Sequence, residues 1–107
     1  MPLPPLCIVV RLWIHPGLEA EFEAYERKVS RIMARHGGVI ERAIRTSRAA
    51  NDGLDEPFEV HLPRFPSREH YDAYRDDSER RSLSGERARI IIKTDTFIGT
   101  PGPTYGS

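Results

Sequence analysis

The stretch from Leu18 to His36 limits the possible folds more than any other part of the chain. Leu18, Phe22, Tyr25, Val29, Ile32 and Met33 recur at steps of three, four and one residues, which lays them on one stripe of a helix. Glu19, Glu21 and Glu23 crowd the first turns, and Arg27, Lys28, Arg31 and Arg35 the later ones, so the charges complement the helix dipole at both ends. Gly37-Gly38 then supplies the left-handed residue that commonly closes a helix. A helix with one apolar stripe needs a surface to pack on, and the flanking segments provide it.

Those flanks read as strands. Leu6 to Ile14 is a short β-branched run, stopped by His15-Pro16-Gly17. Val39 to about Thr46 is a second strand, with Ile40 and Ile44 expected on one face and Glu41 and Arg45 on the other. A polar loop centred on Asn51-Asp52-Gly53 leads to a third strand, Phe58 to Phe65, where Phe58, Val60 and Leu62 alternate with Glu59, His61 and Pro63. Ser67 is the expected N-cap of a second helix, interrupted near Asp76-Asp77-Ser78. A last strand is expected from Arg87 to Ile98. The sequence predicts a single domain spanning residues 1–107, with flexible ends at 1–5 and 99–107.

The order βαββαβ is that of an α+β, ferredoxin-like fold: a four-stranded antiparallel sheet with two helices on one face. Right-handed crossovers put strand three between strands one and two, and strand four beside strand one. The expected helix-covered face carries Ile8, Val10, Leu12, Ile40, Ile44, Val60, Leu62, Ile90 and Ile92. The opposite face would then carry Val9, Arg11, Trp13, Glu41, Arg45, Glu59, His61, Arg89, Ile91, Lys93, Asp95 and Phe97. Trp13, Ile91 and Phe97 on an open face would need cover, which predicts a homodimer packed sheet to sheet.

Composition narrows the partners. Acids and bases balance at 16 each, which gives no electrostatic reason to expect nucleic acid or an anionic membrane. No apolar run approaches the roughly 20 residues of a membrane span, and Met1-Pro2-Leu3-Pro4-Pro5 lacks the pattern of a signal peptide. With Cys7 alone there is no internal disulfide to form, so a cytoplasmic location is expected. No phosphate loop, dinucleotide glycine pattern, nucleophile elbow or metal-ligand spacing is present, and no cofactor is expected.

Three short motifs carry a family resemblance: Pro16-Gly17-Leu18-Glu19-Ala20-Glu21-Phe22, Ala34-Arg35-His36-Gly37-Gly38, and Phe65-Pro66-Ser67-Arg68-Glu69. They resemble the dimeric α/β-barrel superfamily, which includes the antibiotic biosynthesis monooxygenases, and are most similar to its uncharacterised DUF1330-type branch. The resemblance spans about Leu6 to Ile98 and rests on helix starts, stops and turns, so it speaks to fold more than to activity. It implies a pair of sheets closing into a dimeric barrel and a ligand held between helices and sheet without metal or flavin. Haem degradation in the same superfamily would require residues at about Val10, Tyr74 and Ser84 of which only the aromatic Tyr74 fits.

Two sets of residues could carry chemistry. Tyr25, Tyr71 and Tyr74, with Val10 and Leu62, could line an apolar pocket with polar handles, the kind that takes a small aromatic ligand; ordinary core packing is the alternative. Arg64, assigned to the face of Val60 and Leu62, could neutralise an acidic ligand there. His61 and Glu59 share a strand face and could form an acid–base pair. The alternative is an ion-pair network at the dimer contact with Arg11, Arg45 and Lys93. His36 at a helix end, His15 and His70 read as surface residues. Two functions remain open: a cofactor-independent oxygenase or isomerase acting on a small aromatic or polyketide-like molecule, and a non-catalytic homodimer that binds a metabolite or a protein.

Overall fold

The computed structural model describes residues 4–47 and 56–106; the Asn51-Asp52-Gly53 turn lies outside the described residues. The elements are β1 (Leu6–Ile14), α1 (Glu19–Arg35), β2 (Val39–Arg45), β3 (Glu59–Phe65), α2 (Arg68–Arg75), α3 (Ser78–Ser82), α4 (Ser84–Ile90) and β4 (Ile91–Gly99). The strands form one antiparallel sheet in the order β2-β3-β1-β4, as right-handed crossovers require. The fold is ferredoxin-like α+β, with the crossover between β3 and β4 broken into three short helices.

Helix α1 ends in a Schellman motif: Gly38 N–H donates to the Met33 carbonyl at 3.0 Å and Gly37 N–H to that of Ala34 at 3.1 Å. Gly37 takes φ of +76°, and Gly38 lets the chain pass against the Phe65 ring. At the other helix, the Ser67 hydroxyl accepts the His70 N–H and caps α2, as the sequence predicts. Asp77 caps α3 by accepting from the N–H groups of Glu79 and Arg80. It also meets His36 Nε2 at 2.8 Å and Arg35 at 3.1 Å, which ties the broken crossover to the end of α1. The bond from His36, with those from the backbone and Arg35, holds the Asp77 carboxyl well below the usual range despite the opposing effect of burial.

The core lies between α1 and the sheet, where Phe22, Ile32, Ile14, Phe65 and Ile90 are completely buried. Each such side chain contributes about 1.5–3 kcal/mol relative to remaining exposed. Phe65 meets Tyr71 and Tyr74 with ring centroids 5.3 Å away, which seats α2 on β3.

Several expected face assignments reverse. Val10 stands opposite His61, Leu12 opposite Glu59 and Leu6 opposite Phe65, so the odd-numbered residues of β3 lie on the helix-covered side. Glu59, His61 and Pro63 are therefore buried, while Val60, Leu62 and Arg64 lie on the open side. In β2 a register shift between Ile40 and Arg42 inserts a residue, so Ile40 opposes Pro63 while Ile44 opposes Val60 and stands exposed on the open side. The final strand starts later than expected: Arg87 lies in α4, Ile90 ends that helix inside the core, and Ile91 turns toward the helices. Trp13 is on the open face but only 4% exposed, with the Lys93 ammonium 4.5 Å from its ring centroid. Of the three residues expected to need cover there, Phe97 alone is exposed, at 56%.

Candidate functional site

Between the helices and the sheet lies a semi-enclosed cavity of about 110 Å³. Its apolar floor comes from alternate residues of β1 (Ile8, Val10 and Leu12) and from Phe65 of β3, with Val29 and Met33 of α1 above. Tyr25 enters from α1, and Tyr71 and Tyr74 from α2. Arg80 of α3 and Arg87 of α4 complete the crossover side, and Thr94 and Thr96 the β4 side. Of the residues expected to line a ligand pocket, the cavity gathers Tyr25, Tyr71, Tyr74 and Val10.

Arg64 does not join them. It is exposed on the open face, 3.7 Å from Glu41, because the parity of β3 is the reverse of that expected. The same reversal brings His61 into the cavity wall and Glu59 against it. His61 and Glu59 are thus a buried pair beneath the helices and no part of an open-face network. Arg11 and Lys93 stay behind on the other face, where Arg11 pairs with Asp95 at 2.6 Å. Arg45 alone of the expected network reaches the pair.

The geometry around His61 is directional. Its Nε2 lies 2.6 Å from Glu59 Oε2, while Arg45 donates through Nε to Glu59 Oε1 at 2.9 Å. Burial pushes the Glu59 carboxyl up, but the bonds from His61 and Arg45 outweigh it and hold the pKa below the usual value. An ionised carboxylate only accepts, so the proton between the two groups belongs to His61 Nε2. His61 Nδ1 is left facing Glu26 Oε2 of α1 at 3.8 Å. Burial holds the Glu26 carboxyl above the usual range, with nearby His61 opposing. Two carboxyls thus flank one imidazole: Glu59 stands at its Nε2, and Glu26, which burial makes hold a proton more tightly than a free carboxyl, faces its Nδ1.

The phenols are perturbed as well. Burial raises Tyr25 to about 12, with the positive charge of Arg87 opposing. Burial also raises Tyr74, against a hydrogen bond and the charge from Arg80, whose guanidinium carbon is 4.8 Å from the Tyr74 ring centroid. At neutral pH both phenols are hydrogen-bond donors.

Sequence reasoning missed Glu26, Arg80, Arg87, Thr94 and Thr96. For Glu26 a signal was present: it lies four residues after Phe22 and three before Val29, inside the apolar stripe of α1. Arg87 was hidden by its assignment to a strand. Among the described residues no three His, Cys, Asp or Glu side chains converge closely enough to hold a metal ion.

Fold and site together define a ferredoxin-like domain with a cavity between helices and sheet, walled by phenols and a carboxylate–imidazole pair. Solved structures share the fold. SnoaB, a cofactor-independent oxygenase from Streptomyces nogalater, superposes with a TM-score of 0.73 over 98% of this chain and 100% of its own, at 14% identity. A protein of unknown function from Rhodopseudomonas palustris gives a TM-score of 0.79 over 94% of this chain and 85% of its own, at 15% identity. A dabb family protein with a ferredoxin-like fold from Mesorhizobium loti gives 0.66 over 94% and 100%, at 14% identity. No protein-family model matches the sequence, and no curated protein matches it.

Proposed function

We propose that this cavity is the active site of a cofactor-independent enzyme that removes a proton from a small phenolic or enolisable molecule, acting as an oxygenase. The observation that carries the reading is His61, oriented by ionised Glu59 and facing Glu26 inside a cavity with three tyrosines. His61 Nδ1 accepts the substrate proton, Glu26 relays it, and the tyrosine hydroxyls steady the anion that forms. With dioxygen, an activated CH2 then becomes a carbonyl and releases water; both electron pairs come from the two C–H bonds, so no external reductant enters. Likeness in fold to SnoaB supports the oxygenase outcome. Returning the same proton at another carbon would be isomerisation. The volume favours a single ring, since a cavity of about 150 Å³ accepts benzene and this one is about 110 Å³ with an open side.

The experiment follows dissolved oxygen and deuterium exchange with resorcinol and 1,3-cyclohexanedione. Oxygen uptake matching product, lowered about a hundredfold or more by His61→Ala and by Glu26→Gln, is expected. Exchange without oxygen uptake would make the protein an isomerase. A ligand that raises the melting temperature but undergoes neither change would make it a binding module and end the enzymatic reading.

We also infer that the chain pairs into a homodimer through the open sheet face. Val9, Val39, Ile44 and Phe97 all stand exposed on that side, an apolar band that a second sheet would cover.

A further inference from the structure

The crossover brings two guanidinium groups to the cavity wall without a counter-ion. Arg80 donates from Nη1 to the Arg75 carbonyl at 3.3 Å, and Arg87 from Nη2 to Thr94 Oγ1 at 3.1 Å. Among the described residues, no carboxylate lies within ion-pair distance of either, although the neighbouring basic residues Lys28 and Arg35 do have such partners. Glu86, one residue before Arg87, is engaged by Lys28 at 3.0 Å. Glu79, one residue before Arg80, is engaged by Arg35 at 2.7 Å. The acidic side chains closest in sequence are thus turned outward while the guanidiniums line the cavity.

The other charged groups in the wall do not balance them. Glu59 is paired with Arg45 and hydrogen-bonded by His61, and Glu26 is a single carboxyl whose burial disfavours its charged form. A half-buried cation loses hydration and recovers it only from an anion or from dipoles. Each guanidinium has five N–H donors in a planar fork; Arg80 directs them to the Arg75 carbonyl and the Tyr74 hydroxyl and Arg87 to Thr94, which leaves donors free in both. A planar carboxylate is the acceptor that fits that fork in pairs.

We infer that the cavity is selective for a small carboxylic acid, a single-ring or enolic carboxylate, whose anion is held between Arg80 and Arg87 while its reactive carbon faces His61. This rests on the cavity being the ligand site, as proposed above, and assigns the substrate class. The tyrosines then flank the ring, and Arg80 and Arg87 determine specificity without taking part in the proton transfer.

The test titrates the full-length protein with 4-hydroxybenzoate and with its neutral isostere 4-hydroxybenzamide, following affinity by calorimetry or ligand-observed NMR. The carboxylate is expected to bind at least about tenfold more tightly, the equivalent of one charge-assisted hydrogen bond. Arg80→Gln and Arg87→Gln should each remove most of that preference, weakening the carboxylate far more than the amide. Arg87→Lys should restore part of it, which separates loss of charge from loss of fold. Equal affinity for the two compounds, equal weakening of both by the arginine variants, or no binding of the carboxylate at millimolar concentration would each overturn the assignment. Failure of oxygen uptake together with retained, arginine-dependent carboxylate binding would instead count against the oxygenase reading alone.

Discussion

Glu26 shows what a buried carboxyl costs the fold that houses it. Its carboxyl sits in the apolar stripe of α1, and burial keeps its folded-state pKa above that of the unfolded chain. The folded protein therefore binds this proton more tightly, and stability falls as pH rises from the ordinary carboxylate value through the raised one. Glu26→Gln removes that penalty. The variant is expected to melt above the wild type at about pH 8, with the gap closing near pH 4, where the carboxyl is protonated in both states. Melting curves by circular dichroism check this, and a gap independent of pH would place the group in water. The same substitution should abolish turnover, so gained stability and lost activity would come from one atom pair. At this scale the sequence was half legible. Tyr25, Tyr71, Tyr74 and Val10 could be picked out because apolar and aromatic residues at helical and strand spacing betray a wall. His61 and Glu59 were noticed as a pair yet given the wrong side, since residue type does not say which neighbour a strand will take.

Secondary elements differ in how much of their position is written locally. Helix α1 and its stop were legible because stripe, charge order and two glycines all act within one segment. The glycines serve distinct ends: a Cβ on Gly37 would stand 2.9 Å from Pro66 Cγ and force an unfavourable positive φ, while one on Gly38 would reach 2.5 Å from the Phe65 ring and from Met33. Gly37→Ala is expected to cost about 1–2 kcal/mol and Gly38→Ala about 1–3 kcal/mol, read as shifts of the urea midpoint. Two unchanged midpoints would mean the helix end is built differently. Strand faces were far less legible. In β3 the pairing of Val10 with His61 decides which parity is inside, and that register joins segments some fifty residues apart. Both parities of β3 carry apolar residues, so alternation alone could not choose. In β2 the extra residue near Glu41 turns Ile44 outward, and in α4 the run of isoleucines disguised a helix whose last residue, Ile90, is anchored in the core.

For the whole molecule, strand order followed from crossover handedness, whereas the reason to expect a dimer had to change. Trp13 is already roofed and Ile91 points inward, so the apolar band on the open face is carried by Val9, Val39, Ile44 and Phe97. Phe97 is the most exposed of these four. Sedimentation equilibrium is expected to show a dimer at micromolar concentration, and Phe97→Glu to shift it to monomer while the cavity variants leave it intact. A wild-type monomer under those conditions would remove the sheet face as the contact.

His61 and Glu26 also belong to the wall of a second, more open groove along α1 and β2, which includes Glu23, Arg27 and Arg31. The imidazole and its carboxyl partner therefore sit in a partition with a chamber on one side and bulk water on the other. In the proposed reaction a ligand that stoppers the chamber would leave the groove side of the pair open to the proton. Matter and charge would then have separate doors, and slow product release would not set the pace at which His61 is reset.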